Sequence, residues 1–186
     1  IEENNIVDIK GVFGIFKANS NGDNIELYNK DKSLAATFNL FREQRKKNKG
    51  PYLCLSDFIA PKEINKDDYL GGFIVTTGLK ADEYAKKLEA EGDSYNAIML
   101  KLVCDRLAEA FAEKLHEDIR KNYWGYAKDE NLSMKEIFKA SYRGIRPAFG
   151  YPSLIDQSQM KILFNLLNGE KVTGVKLTES YMMDPV

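Results

Sequence analysis

A long stretch of regularly spaced apolar residues, between positions 93 and 122, constrains the fold of this chain more than any other feature. Its apolar side chains recur with the i, i+3, i+4 spacing that places them on one face of a helix. They are Ile98, Met99, Leu102, Val103, Leu107, Ala110, Phe111, Leu115 and Ile119. Asp93 or Ser94 is suited to cap the first turn, because a side-chain oxygen accepts hydrogen bonds from free backbone N–H groups. The pattern predicts a helix that runs to about Asn122 and lies at the centre of the core.

Several other segments are typical of β-strands. Residues 10–18 and Asn24 to Tyr28 flank a run of turn-forming residues at 19–23, so they predict a β-hairpin. Leu53 to Phe58 predicts a further strand. Leu70 to Thr77 predicts another, and its almost continuous apolar run favours a central place in the sheet.

Shorter helices are predicted around the long one. They span about 34–47, 82–91, 133–142 and 156–168, and residues 172–181 predict a closing turn and strand. The basic cluster from Arg42 through Lys49 is interpreted as the solvated last turn of the first of these helices. Helices gathered in the second half, with antiparallel strands on either side, favour the α+β class. We expect a twisted antiparallel sheet with a long central helix and several shorter helices.

The composition limits the partners and the compartment. The 186 residues suit one domain, and 27 basic against 28 acidic side chains argue against nucleic acid or an anionic membrane as a general partner. Cys54 and Cys104 lie in apolar settings, so we predict buried thiols in a reducing cytoplasm. No segment has the pattern of a membrane span or a secretory signal. The chain does not begin with Met and stops after a strand-like run, so we expect it to be part of a larger protein.

Residues 146–152 combine a cation, a flexible glycine, an aromatic ring and two prolines. The prolines restrict their own backbone and that of the preceding residues, so Arg146 and Tyr151 are predicted to lie outside helices. Arg146 can bind a carboxylate or phosphate through two parallel N–H groups, and Tyr151 can cover a flat ligand. Gly150 allows close approach of the backbone. These residues alone leave two hypotheses open, a ligand-binding loop and an ordinary structural connection.

The long helix carries a second candidate functional site, which contains two acidic residues. One of its faces carries Asp105, Glu109, Ala112 and His116. The two carboxylates form either a solvated face neutralised by Arg106 and Lys114 or a site that binds a cation. Glu113 and His116 have the spacing of a di-iron half-site, but His116 is the only histidine, so a metal site is not expected.

An aromatic cluster, Tyr123-Trp124-Gly125-Tyr126, follows the long helix. We predict that Trp124 fills the core where the helix meets the sheet, because an indole ring is large and mostly apolar. The chain lacks a phosphate-binding P-loop and the glycine pattern of dinucleotide-binding and Rossmann-type methyltransferase folds. A nucleotide-like ligand therefore requires a site of another design.

Eight strings along the chain occur in the order in which one known family has them. The downstream strings are DSYNAIM (93–99), DRLAEAFAEKLHE (105–117), YWGYAKDENLS (123–133), GIRPAFGYP (144–152) and KLTESYMM (176–183). The upstream strings are GVFGIFKANSNGD (11–23), CLSDFIAPK (54–62) and GGFIVTTGL (71–79). Over nearly its whole length the chain resembles the activation domain of cobalamin-dependent methionine synthase. The recurrence of unrelated strings in one order makes the resemblance specific.

The resemblance implies a role in repair within a larger methyltransferase. In this family the cobalamin is bound by a neighbouring module, and its cobalt occasionally oxidises. The activation domain binds S-adenosylmethionine, so that one-electron reduction is followed by methyl transfer and methylcobalamin is restored. Reduced flavodoxin or a flavoprotein reductase supplies the electron. The resemblance thus implies a domain that takes part in catalysis by the whole enzyme and is not catalytic alone.

The resemblance also implies which residues bind the ligand. The positions that match the family's binding site are Arg146, Ala148, Gly150, Tyr151 and Glu109. Arg146 is expected to bind the methionyl carboxylate, and Glu109 to face the cationic end of the ligand. Asp105 matches a family residue at the interface with the cobalamin module.

The chain also departs from the family pattern. The family has ligand-contacting segments before the first hairpin and after KLTESYMM, so we expect the domain in residues 1–186 to be incomplete at both ends. Residues 153–157 replace a stretch that usually carries cysteine and histidine. The alternative hypothesis is a docking module without a small-molecule site, in which the basic cluster at residues 42–49 contacts an acidic flavoprotein.

Overall fold

The computed structural model describes residues 6–185 as an α+β fold. Its strands are β1 (Lys10–Asn21), β2 (Asn24–Tyr28), β3 (Leu34–Phe38), β4 (Asp68–Thr76), β5 (Lys176–Leu177) and β6 (Met183–Asp184). Its α-helices are α1 (Leu79–Ala90), α2 (Ser94–Asp118), α3 (Met134–Phe138), α4 (Met160–Leu167) and α5 (Gly169–Thr173). Short 3₁₀ turns lie at Leu55–Phe58, Lys62–Ile64 and Gln157–Gln159, and α2 continues into a π-helical turn at Ile119–Tyr123. Within the described residues, no helix is both long and apolar enough to cross a bilayer.

Four of the strands form one antiparallel sheet in the order β3-β2-β1-β4. The predicted hairpin is confirmed, but β1 is longer than predicted, and Asn21 pairs with Asn24. The turn is therefore confined to Gly22 and Asp23. β5 and β6 form a separate two-stranded sheet.

Helical segments cover both faces of β4. Successive residues of a strand face opposite sides of the sheet, so Gly71 and Gly72 report on the two faces separately. A Cβ atom on Gly71 would lie 3.1 Å from Cζ3 of Trp124, which directly follows the π-helical turn. A Cβ atom on Gly72 would lie 2.5 Å from Cδ1 of Leu163 in α4. The two glycines thus allow large side chains to contact the strand on each face. The contact with Gly71 confirms that Trp124 packs on the sheet, but its ring is only partly buried and belongs to none of the core clusters, so it does not fill the core as predicted.

Three apolar clusters form the core. The largest contains Ala18, Ile25, Leu27, Phe38, Leu40, Cys54, Leu55, Ile59 and Leu154. A second joins α1 to α2 and contains Ile6, Ala81, Ala85, Leu100 and Cys104. The third lies between β4 and α4 and contains Ile74, Phe164, Leu167 and Val175. Both cysteines are buried and free, as predicted.

The helix predicted at residues 34–47 is wrong. Leu34–Phe38 is β3, and the residues that follow it have no helix. Arg42 of the basic cluster forms ion pairs with Asp57 at 2.7 Å and with Asp23 at 2.8 Å. The apolar spacing that suggests a helix also fits a strand whose last side chain is buried, and pairing with β2 decides between the two. The basic cluster is therefore not the last turn of a helix.

Two of the strand predictions also need correction. Leu55–Phe58 is a 3₁₀ turn, because the Asp57 carboxylate accepts a hydrogen bond from the Cys54 N–H at 3.0 Å and turns the chain locally. β4 lies at an end of the four-stranded sheet, not at its centre. Its apolar composition follows from the cover that Trp124 and Leu163 give its two faces.

The long helix begins at the predicted cap, where the Asp93 carboxylate accepts a hydrogen bond from the Asn96 N–H at 3.1 Å. Its predicted burial is confirmed only near its end, where Leu115 and, in the π-helical turn, Ile119 are buried; Leu107 and Phe111 are partly buried and Ala110 is exposed. In the first half the prediction is wrong, since Ile98 and Leu102 are 56% and 49% exposed. α1 packs on a neighbouring face of this half, so the buried residues there are Ala97, Leu100 and Cys104.

The short elements near the C-terminal end follow their local signals. The Glu136 carboxylate accepts a hydrogen bond from the Ser133 N–H at 2.8 Å, which confirms the capping box, although α3 ends at Phe138. Asp156 caps the 3₁₀ turn that leads into α4. The turn and strand predicted at residues 172–181 are only partly correct, because α5 extends to Thr173 and β5 spans only Lys176–Leu177.

Gly78, which precedes α1, supports a testable prediction about stability. Its backbone has φ +95° and ψ 158°, and a Cβ atom there would lie 2.6 Å from the Asp8 carbonyl oxygen. Gly78→Ala is therefore expected to lower the free energy of unfolding by about 2 kcal/mol, measured by urea denaturation. Gly92→Ala is the matched control, since Gly92 also has positive φ but open space around the Cβ position. Equal losses in the two variants would contradict a role for the Asp8 contact.

Candidate functional site

Three polar side chains lie along one face of the second half of α2 and the turn that follows. Glu113, His116 and Arg120 are three and four residues apart, so each lies beside the next along the helix. His116 and Arg120 are only 7% and 1% exposed. Buried polar and charged groups of this kind require partners.

Arg120 has a partner for each edge of its guanidinium. Its Nε donates a hydrogen bond to Oε2 of Glu130 at 3.0 Å, and its Nη2 donates to Oε1 at 2.5 Å. Its Nη1 donates to Nδ1 of His116 at 2.7 Å. The guanidinium carbon lies 4.3 Å from the centroid of the Tyr142 ring. These contacts fix the segment that follows α2 against the helix.

His116 is held in its neutral form. An arginine is always protonated and can only donate, so Nδ1 of His116 must accept and the ring proton must lie on Nε2. Burial, together with the positive charges of Arg120 and Arg146, lowers the pKa of His116 to about 3. The Tyr142 ring meets the imidazole edge-on, with 4.8 Å between the ring centroids.

Because His116 is neutral in the folded protein, we expect the free energy of unfolding to fall as the pH is lowered from 7 to 5. The unfolded chain gains a proton at its histidine near pH 6.5, whereas the folded chain does not until about pH 3, so acid favours unfolding in this window. The expected loss is about 2 kcal/mol in the free energy of unfolding. In His116→Gln, whose amide oxygen can still accept from Arg120, this part of the loss should disappear. Urea denaturation at pH 7, 6 and 5 measures it, and the same pH dependence in both proteins would contradict the assignment.

Glu113 pairs with Arg146, the arginine of the predicted ligand loop. Arg146 Nη2 donates to Oε1 of Glu113, and each side chain is about a quarter exposed, at 26% and 27%. Arg146 Nε and Glu113 Oε2 are buried and have no hydrogen-bond partner among the described residues. The ion pair links the loop to α2 across a sequence separation of 33 residues.

The loop that carries Arg146 has a defined backbone. The Gly150 N–H donates to the Leu154 carbonyl at 2.8 Å, and the Leu154 N–H donates to the Tyr151 carbonyl at 2.8 Å. Gly150 has φ +89°, which favours glycine. Leu154 belongs to the largest core cluster and Phe149 packs against it, which anchors the loop. Tyr151, by contrast, is 63% exposed. Arg146 and Tyr151 lie outside helices, as predicted.

The acidic residues predicted on α2 lie next to the Arg146 contact. Glu109 is one helical turn before Glu113, about 6 Å along the helix axis. Its exposed carboxylate accepts a hydrogen bond from Arg106 Nη1 at 2.6 Å, the local partner expected for a solvated face. Asp105 is exposed one further turn away. Lys114, the other expected partner, pairs with other acidic residues, Glu117 and Asp118.

The loop and the helix thus carry all five predicted ligand residues, and the pair of Arg146 and Glu113 joins the two segments. The loop contributes Arg146, Ala148, Gly150 and Tyr151, and α2 contributes Glu109. The arrangement has a cation on one segment and a carboxylate on the other. Such a pair is chemically suited to a zwitterionic ligand.

Sequence reasoning missed Glu113 as a member of this group. The Glu113 and His116 spacing suggests only a metal half-site, which the single histidine argues against, whereas in the structure both side chains contact arginines, Arg146 and Arg120. The available signal was an acid on the same helical face as Glu109, four residues away. The partner of that acid lies 33 residues further along the chain, where no local pattern identifies it.

Comparisons with known proteins agree with this fold. A crystal structure described as the MetH reactivation domain bound to AdoHcy is 46% identical to this chain, with a TM-score of 0.91. The match covers 98% of this chain and 57% of that one, so the chain spans little more than half of the solved domain. A model of the family described as vitamin B12 dependent methionine synthase, activation domain, matches residues 1–186. Because that match extends over its whole length, this chain belongs to the activation-domain family of vitamin B12-dependent methionine synthases.

Proposed function

We propose that this chain binds S-adenosylmethionine between the Arg146 loop and α2, and so supports reactivation of a cobalamin-dependent methionine synthase. The observation that carries the proposal is the partly exposed Arg146 guanidinium, which Glu113 holds at a point on α2 one helical turn from Glu109, whose own carboxylate is exposed. A relative of the same family, 46% identical, is described as bound to AdoHcy. AdoHcy is S-adenosylmethionine without its transferable methyl group.

The side chains present fit this ligand. Of the three guanidinium nitrogens of Arg146, only Nη2 hydrogen-bonds a described residue, so donors remain for the methionyl carboxylate. Glu109 supplies a negative charge for the ammonium and sulfonium groups. The Tyr151 ring, 63% exposed, offers a flat surface for the adenine. The backbone of Ala148 and Gly150 completes the loop side of the site.

The contribution of this chain to the reaction is positioning. A sulfonium methyl group is intrinsically reactive, so binding both ends of the amino-acid part fixes the direction in which the methyl points. Cobalamin, held by another module, supplies the nucleophilic cobalt that accepts this methyl after one-electron reduction of its oxidised form. We further propose reduced flavodoxin or a flavoprotein reductase as the electron source and the cytoplasm as the compartment, in keeping with two buried free thiols.

The first half of α2 favours contact with the cobalamin module. Ile98 and Leu102 are exposed, and Asp105 follows them on the same helical face before Glu109. An apolar surface that ends in an acid next to the ligand site suits a partner that must approach the reactive methyl. Asp105 is proposed to lie at this interface.

Reactivation of the whole protein that contains this chain tests the proposal. Cob(II)alamin is paramagnetic, so electron paramagnetic resonance follows its loss during reduction. We expect rapid, complete loss of the signal only when S-adenosylmethionine is present together with the reductant. Loss that does not depend on S-adenosylmethionine, with no measurable binding of AdoHcy, would support the docking alternative instead.

A further inference from the structure

Arg146 lies in a segment with almost no regular secondary structure, so the backbone alone does not fix its side chain. Residues 139–156, between α3 and the 3₁₀ turn that precedes α4, contain no helix and only one isolated β-bridge. Gly144 and Gly150, on either side of Arg146, both have positive φ. An arginine side chain has many rotamers, so binding a carboxylate in one orientation requires another group to fix it.

Among the described residues, Glu113 is the one that holds the Arg146 guanidinium in place. Its carboxylate accepts the hydrogen bond of Arg146 Nη2, and it projects from the second half of α2, a 25-residue helix. Because Glu109 is on the same helix one turn earlier, the contact also sets the distance between Arg146 and Glu109. These two residues are the proposed partners of the carboxylate and the ammonium group of one ligand.

The pattern of buried atoms indicates which edge of Arg146 faces the ligand. Nε is buried, as is the second oxygen of Glu113, so the Nε/Nη2 edge of the guanidinium lies toward Glu113 and the protein interior. Nη1 makes no hydrogen bond with a described residue and is not buried, so it retains access from outside. Only one of the two N–H groups of Nη2 is needed for Glu113. A ligand carboxylate can therefore bind at Nη1 and Nη2 while the contact with Glu113 persists.

We propose that Glu113 is a positioning residue for the binding of S-adenosylmethionine and its product AdoHcy: it holds Arg146 so that Nη1 is presented to the methionyl carboxylate. This inference rests on the proposed function. It assigns Glu113 an effect on the amino-acid end of the ligand and none on the adenosyl end.

Calorimetric binding of two probes to the whole protein tests the proposal. AdoHcy carries the carboxylate, and 5′-methylthioadenosine carries the adenosyl part without it. Glu113→Ala is expected to weaken AdoHcy binding about tenfold and to leave methylthioadenosine binding unchanged. Glu113→Gln keeps an oxygen that accepts from Nη2, so it should recover most of the AdoHcy affinity. Glu117→Ala, one turn further on α2 and paired with lysines, is the matched control and should bind both probes like the wild type.

The outcomes separate this inference from the proposed function. No binding of AdoHcy by the wild-type protein would overturn both. Normal binding by the wild type that is lost in Arg146→Ala but unchanged in Glu113→Ala would overturn only the role of Glu113. Tighter binding in Glu113→Ala would show that Glu113 competes with the ligand, and equal weakening of both probes would show a general structural role; either result overturns the proposal. If the alanine variant does not fold, Glu113→Met keeps the length of the side chain but cannot accept from Nη2, so it should weaken AdoHcy binding alone; wild-type binding of both probes by this variant would overturn the proposal.

Discussion

Replacing Glu130 with alanine is expected to lower the free energy of unfolding by about 3–5 kcal/mol. The substitution leaves the Arg120 guanidinium, which is 1% exposed, without the carboxylate that neutralises it and accepts two of its donor groups. A charge that is desolvated and unpaired in this way destabilises the folded state far more than the loss of one hydrogen bond. Urea denaturation followed by circular dichroism measures the effect.

An exposed ion pair between α1 and α2 provides the control for this prediction. Lys101 pairs with Glu89 at 2.8 Å, with both side chains nearly half exposed, so Lys101→Ala should change the free energy of unfolding by less than about 1 kcal/mol. Simultaneous replacement of Arg120 and Glu130 by methionine removes both charges and should recover part of the stability. A loss of under about 1 kcal/mol in Glu130→Ala would contradict the buried pair.

Replacing Arg146 with alanine is expected to weaken binding of S-adenosylmethionine by about 1.5–3 kcal/mol, roughly 10- to 150-fold. The reason is the loss of a charge-assisted contact to the methionyl carboxylate, together with the unpaired Glu113 carboxylate that remains beside it. Arg146→Lys should recover only part of the affinity, because an ammonium group cannot form the planar fork. Calorimetric titration measures all three proteins.

A neighbouring arginine is the matched control for the Arg146 substitution. Arg143 is exposed in the same segment, and its guanidinium carbon lies 6.0 Å from the Tyr126 ring centroid. Arg143→Ala should therefore bind S-adenosylmethionine like the wild type. Wild-type affinity in Arg146→Ala would contradict the assignment of the carboxylate to this residue.

Much of the fold was predictable where the controlling interaction is local. The Asp93 cap, the capping box at Ser133 and the hairpin around Gly22 each depend on residues within a few positions of one another, and all three are confirmed. Residues 34–38 show the limit of this reasoning. Their spacing fits a helix and a strand about equally well, and the partner that decides, β2, is outside the pattern.

The sequence also left part of the candidate site unpredicted, because the contact between Glu113 and Arg146 is not local. The resemblance to the family indicates the loop residues and Glu109 as ligand residues, and that assignment stays a prediction; no sequence pattern links Glu113 to Arg146, which is distant in sequence. The exposure of Ile98 and Leu102 could not be predicted from periodicity. An apolar helical stripe indicates a covered surface but does not say whether the cover comes from the same part of the chain or from a partner.

A crystal structure of the whole protein with AdoHcy would locate the ligand relative to the Arg146 loop. We expect the ligand carboxylate about 3 Å from Arg146 Nη1, with Glu113 still bound to Nη2 and the ligand amino group toward Glu109. AdoHcy bound away from the Arg146 loop, or with its carboxylate held by other residues, would contradict the proposed site.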